Sequence, residues 1–159
     1  GPQTSSESPG VLGGYEFFQQ LNLEELAENA AQSALRMAGA GYIDGGTMPV
    51  ILGNGFGGVI FHEACGHLLE TTSVAKKASV FHDQMGQMIA NTAVSAVDDG
   101  TMTKQWGSIN IDDEGLDTQR TQSIKDGKLT SFLVDKIGAE QTGFERMQTG
   151  RMKTSRVKG

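Results

Sequence analysis

Residues 47–70 constrain this chain more than any other stretch. Thr47-Met48-Pro49-Val50-Ile51-Leu52 is a short apolar run of the kind that enters a core as a strand. Gly53-Asn54-Gly55-Phe56-Gly57-Gly58 follows it. Four glycines in six residues let the backbone turn sharply or approach another group closely, since glycine has no Cβ to obstruct either. Residues 59–70 then have the length and apolar content of a buried helix. The order is strand, glycine turn, helix. With 22 glycines in 159 residues, about double the usual share, tight corners are expected elsewhere too.

Around that segment the chain divides readily. Residues 1–14 are rich in Ser, Pro and Gly and lack the periodicity of a packed element, so they are expected to form a flexible lead. Its first two residues, Gly1-Pro2, are read as a remnant of protease cleavage. From Asn22 a helix is predicted to about Ala38, with Leu23, Leu26, Ala27, Ala30, Ala34 and Leu35 at helical spacing. Asn22 and Glu25 form an N-cap pair, and Gly39 and Gly41 supply the stop. Strands are expected at residues 93–97, 121–125 and 129–134, the last two joined through Asp126-Gly127, a strong hairpin signal. Residues 15–143 are read as domain, and residues 144–159 as a basic tail or a truncated continuation carrying Arg146, Arg151, Lys153, Arg156 and Lys158. The fold class expected is α+β: a mixed or antiparallel sheet packed around a central helix that bears the chemistry.

That chemistry is His62-Glu63-Ala64-Cys65-Gly66-His67, which sets a carboxylate beside one imidazole and a second imidazole five residues after the first. Two neutral imidazoles hold a divalent cation such as Zn²⁺, which lowers the pKa of bound water to about 7. A neighbouring carboxylate then takes the proton as general base. The spacing resists this reading on a regular helix. Residues five apart are offset by about 140° at 3.6 residues per turn, so the rings diverge unless the turn is distorted. A π-type turn, with bonding between residues five apart, brings both to one side, and Gly66 is where such a distortion is easiest to absorb. Two ordinary histidines, each bonded to a carbonyl, would satisfy the same spacing. Against that stands the cost of an unpaired carboxylate inside an apolar helix.

Several function classes are excluded or disfavoured. With 13 basic and 19 acidic residues the net charge is −6, opposite to the basic face nucleic-acid binding wants. The single cysteine, Cys65, cannot form an internal disulfide, which fits a reducing, cytoplasmic setting. No apolar run reaches the ~18 residues of a membrane span. Gly53 to Gly58 lacks the Lys-Ser or Lys-Thr of a nucleotide loop. Asp112, Asp113 and Glu114 read as an acidic turn rather than a calcium loop, and His82 as a surface or capping histidine. Glu70 lies three residues after His67 and is either a solvated glutamate or an acceptor that orients that ring. Cys65 with a histidine base would make a thiol hydrolase, the weakest of these readings.

Residues 53–67 together with Ala75-Lys76-Lys77-Ala78-Ser79-Val80-Phe81 resemble the TldD side of the TldD/PmbA metallopeptidase family. So do Val97-Asp98-Asp99-Gly100-Thr101, Trp106-Gly107-Ser108 and Asn110-Ile111-Asp112-Asp113-Glu114-Gly115. The resemblance covers about residues 47–135 and is not traced past about residue 143. It implies that residues 15–143 are part of a TldD-like metallopeptidase domain, and that the chain is a fragment or a shortened member, since full-length members are much longer. It further implies a zinc-dependent cytoplasmic peptidase of unfolded or modified peptides, working as a homo-oligomer or with a TldE/PmbA-like subunit. His62 and His67 match the zinc ligands and Glu63 the general base. The family's third ligand, a cysteine far toward the C-terminus, has no counterpart here, and Cys65 matches a cysteine of the motif that is not the ligand. The competing expectation is a non-catalytic partner-binding or scaffold piece that has lost the complete zinc site.

Overall fold

The computed structural model describes residues 1–54 and 57–145. The chain forms two compact units that divide after Ile51. The cluster Arg146, Arg151, Lys153, Arg156 and Lys158 lies outside the described residues.

In the first unit, α1 spans Tyr15–Gln20 and α2 spans Leu23–Gly39. Asn22 caps α2 as its position demands: its side-chain oxygen accepts from the Glu25 amide at 3.2 Å. Leu26, Ala30, Ser33 and Ala34 form its half-buried stripe, one helical face. The sequence reading missed α1, a helix of six residues whose Tyr15 and Phe18 stack with centroids 5.5 Å apart. Its signal was three aromatics in four positions beyond a glycine pair. The strand expected at residues 47–52 is absent: these residues join no strand, and Ile51 is 100% exposed. Strand backbone needs partners for its N–H and C=O groups, and none of the described residues supplies them.

In the second unit, α3 (Gly57–Phe61) continues without a break through a π-turn, His62–Gly66, and a 3₁₀ turn, His67–Leu69. The helix α4 follows at Thr71–Ala75. Strands β1 (Ala96–Asp99), β2 (Arg120–Lys125) and β3 (Lys128–Leu129) form one antiparallel sheet in that order, and α5 (Lys136–Thr142) closes the described part. The class is α+β. Asp126 and Gly127 make the predicted two-residue hairpin, with φ of 49° and 80°. Both angles are positive, as the twist-matched turn requires.

Two strands are shorter or later than expected, for local reasons. Asn91 holds the chain in a turn, its side chain accepting from Ala93 N and its carbonyl from Val94 N, so β1 begins only at Ala96. Beyond Leu129, the amides of Thr130 and Ser131 both point at the Ser123 carbonyl, two residues against one. That bulge-like arrangement ends pairing and re-aims the chain. Leu133 then pairs with Glu70, in parallel, instead of with β2.

Cys65, Leu69, Val74, Ile124, Leu129, Phe132 and Val134 form the core. The segment at residues 59–70 is therefore not a buried helix. Only its Cys65 and Leu69 reach the interior, while Ile60 and Phe61 are exposed. Four residues apart, Cys65 and Leu69 share one helical face. This anchors the motif by one side and leaves the other side open.

Candidate metal centre

The motif helix is locally underwound, and the cause is visible in its hydrogen bonds. The amide of His67 is directed at the carbonyl of His62, five residues back. This is the π-type pairing that the spacing of the histidines requires. Gly66 makes room for it: a Cβ there would stand 3.2 Å from His62 Nδ1, inside ordinary contact. As a result the two imidazoles meet edge to face, with centroids 4.4 Å apart and planes at 68°.

Glu63 joins them. One ligand-type atom from each of His62, Glu63 and His67 lies within 4.8 Å of the others, and among the described residues no other group of three or more such side chains gathers in this way. The ring nitrogens are not equivalent. His62 Nε2 is buried and has no hydrogen-bond partner among the described residues, an arrangement that costs about 1–3 kcal/mol unless something fills it. His67 Nδ1 is 2.8 Å from Glu70 Oε1, while its Nε2 is 3.9 Å from Glu63 Oε2. Glu63 itself is 65% exposed in its side chain. Two imidazoles with a carboxylate beside them suit a borderline divalent ion. The orphaned nitrogen inside that set is the observation that makes the residues fit one.

The end of the motif is held by two distant residues that the sequence did not advertise. Leu133 N donates to Leu69 O at 2.8 Å and Thr71 N to Leu133 O at 3.0 Å, so the segment after β3 straps the turn. Thr71, buried, adds a hydroxyl bond to the same Leu133 carbonyl. Ser79 donates to Leu68 O at 2.6 Å and satisfies a carbonyl that the ending helix leaves free. The two hydroxyl bonds span 62 and 11 residues of sequence, and no local pattern announces them.

The other candidates take structural roles. Cys65 is buried in the core, and burial pushes its thiol pKa up, the reverse of what a nucleophile needs. The ring of His82 bonds through Nδ1 to the Ser79 carbonyl at 3.0 Å. Asp112 builds a turn by accepting from Glu114 N and Leu116 N, each at 2.9 Å.

Comparison with known proteins agrees with the fold and with the class of site. Residues 45–158 match the PmbA/TldA metallopeptidase C-terminal domain, so the chain belongs to this metallopeptidase family. A protein named metalloprotease TldD homolog from Haemophilus influenzae is 39% identical over 125 residues, 79% of this chain and 26% of that protein. A metalloprotease from Methanocaldococcus jannaschii is 34% identical over 151 residues, 94% of this chain and 33% of its own length. The chain thus spans between a quarter and a third of these relatives. A Thermotoga maritima crystal structure, provisionally described as a modulator of a DNA gyrase, superposes with a TM-score of 0.64 at 27% identity, covering 83% of this chain and 30% of that one. A Bacteroides thetaiotaomicron structure with the same provisional description gives 0.67 at 19% identity, again over 83% and 30%, and shares the fold. No described helix is long and apolar enough to cross a membrane.

Proposed function

We propose that this chain carries the ion-binding part of a zinc peptidase site, with His62 and His67 as ligands and Glu63 as general base, acting on unfolded or modified peptides in the cytoplasm. The observation that supports it most is His62 Nε2, buried without a partner among the described residues and belonging to a group with a second imidazole and a carboxylate. Zn²⁺ bound there would supply Lewis acidity. The side chains do the rest. His62 and His67 would hold the ion. Glu63, open to solvent, takes the proton from the attacking water and returns it to the leaving amine. An extended peptide would add to the edge of β1, which no further described strand pairs.

The ligand set is short by one. Cys65, the sole cysteine, is turned into the core, and two imidazoles without a third protein ligand hold zinc weakly. In this reading residues 15–143 are part of the catalytic domain and residues 144–159 continue it. The longer family protein supplies the third ligand, and it assembles as a homo-oligomer or with a TldE/PmbA-like subunit. The incomplete set also favours a second reading, a scaffold or partner-binding piece without catalysis.

Zinc per chain, followed by cleavage of an unfolded peptide by the wild type and by Glu63→Ala, separates the two. The first reading predicts that zinc binds and that Glu63→Ala lowers cleavage by about 10²–10⁴-fold. Zinc-loaded protein whose cleavage survives the substitution rules out Glu63 as base. A chain that takes no zinc from excess supports the scaffold.

A further inference from the structure

Glu70 is a poor choice for the place it occupies. It is the N-cap of α4, with extended dihedrals of −72° and 131°, a position that favours Ser, Thr, Asp or Asn because a short side chain can accept from the helix amides. Its carboxylate makes no such bond. It reaches back one turn instead, to His67 Nδ1 at 2.8 Å, and its side chain is less than half as exposed as that of Glu63. The backbone at this point is pinned on both sides. Glu70 pairs with Leu133, Leu69 O accepts from Leu133 N, and Thr71 N donates to Leu133 O. A cap has been given up and a backbone strap provided, and the outcome is one carboxylate oxygen fixed on one imidazole nitrogen. Departures from local preference of this kind concentrate at functional sites.

We propose that Glu70 is a positioning residue for His67. By accepting a hydrogen bond from Nδ1–H it selects the tautomer whose Nε2 lone pair is bare, and it locks the ring with Nε2 3.9 Å from Glu63 Oε2. A ligand histidine held through its other nitrogen is both better oriented and more basic, and removal of such an acceptor costs about 10–100-fold in affinity. The inference rests on the reading of His67 as a ligand and deepens it.

Two measurements on the full chain test it. In the metal-free protein at about pH 8, above the ordinary imidazole range of about 6.5, long-range ¹H–¹⁵N correlations report which nitrogen of His67 carries the proton. The expected result is Nδ1 in the wild type, a shift toward Nε2 in Glu70→Ala, and retention of Nδ1 in Glu70→Gln, which keeps an acceptor oxygen. Competition with a chelator should show Glu70→Ala binding zinc about 10–100-fold more weakly than the wild type, with Glu70→Gln in between. A wild-type His67 protonated at Nε2, or zinc affinity equal in all three proteins, overturns the proposal, and the wild-type arm decides even if Glu70→Ala does not fold. A wild type that binds no zinc refutes the metal-site reading instead, and the tautomer result still judges the Glu70 contact.

Discussion

Substituting Gly66 by alanine isolates the step that lets two histidines five residues apart share one side. The backbone accepts a side chain there, since φ and ψ are −54° and −52°, and alanine in place of a helical glycine is worth up to about 1 kcal/mol. The obstacle is the ring of His62. The new Cβ would stand 3.2 Å from Nδ1, 3.6 Å from Cγ and 3.8 Å from Cε1, so only the first contact is too close. The ring must yield by a few tenths of an ångström, and His67, 4.4 Å away between centroids, limits where it can go. A rotation of about 30° from the preferred side-chain angle costs about 0.5–1.5 kcal/mol. That cost nearly cancels the helical gain, so stability should move by less than about 1 kcal/mol in urea melts. Binding has no compensating gain. If the ion requires the original ring orientation, zinc affinity falls by about 2- to 12-fold, the same 0.5–1.5 kcal/mol expressed as a ratio. Competition titration reads it directly. Unchanged or tighter zinc binding in Gly66→Ala would refute the argument that this glycine exists to seat the first imidazole.

Two further outcomes follow from other parts of the molecule. Gly127→Ala should destabilise by about 1–3 kcal/mol, because φ there is +80° and a Cβ would stand 2.5 Å from the Ala90 carbonyl oxygen; a urea midpoint equal to the wild type would contradict it. Asp99 titrates below the usual carboxylate range, chiefly because the Thr101 hydroxyl and then the Thr101 amide donate to it, at 2.7 and 2.9 Å, with Arg120 adding a smaller pull. A folded pKa below the unfolded value of about 3.9 means that its contribution is present above that pH and is lost as the pH falls through the folded pKa. Thr101→Val should raise the Asp99 midpoint toward about 3.9 in an NMR titration, and an unmoved midpoint would show that the hydroxyl is not the cause.

How far the sequence could be read depended on the range of the interactions. Asn22 with Glu25, and Asp126 with Gly127, are local devices, and each stands where its chemistry puts it. The underwound turn was also legible, because a geometric conflict between histidine spacing and helical pitch lies entirely within six residues. What escaped was set at a distance. Residues 47–52 have the composition of a strand but no described partner, so their apolar side chains are exposed. Residues 129–134 looked like a continuous strand, yet the doubled approach to Ser123 diverts them to pair with Glu70. Ser79, through its hydroxyl, and Leu133, through its backbone, fix the end of the motif from distant positions and leave no periodicity to detect. Glu70 was visible at its spacing from His67, but only the bond to Nδ1 separates it from an ordinary solvated glutamate.

X-ray absorption at the zinc edge, recorded on the loaded chain and on His62→Ala, examines the shared-ion idea most directly. The wild type should show two imidazole nitrogens at about 2.0–2.1 Å, and the variant one. A wild-type spectrum with a single imidazole, or one indifferent to loss of His62, would mean that the two rings do not hold a common ion.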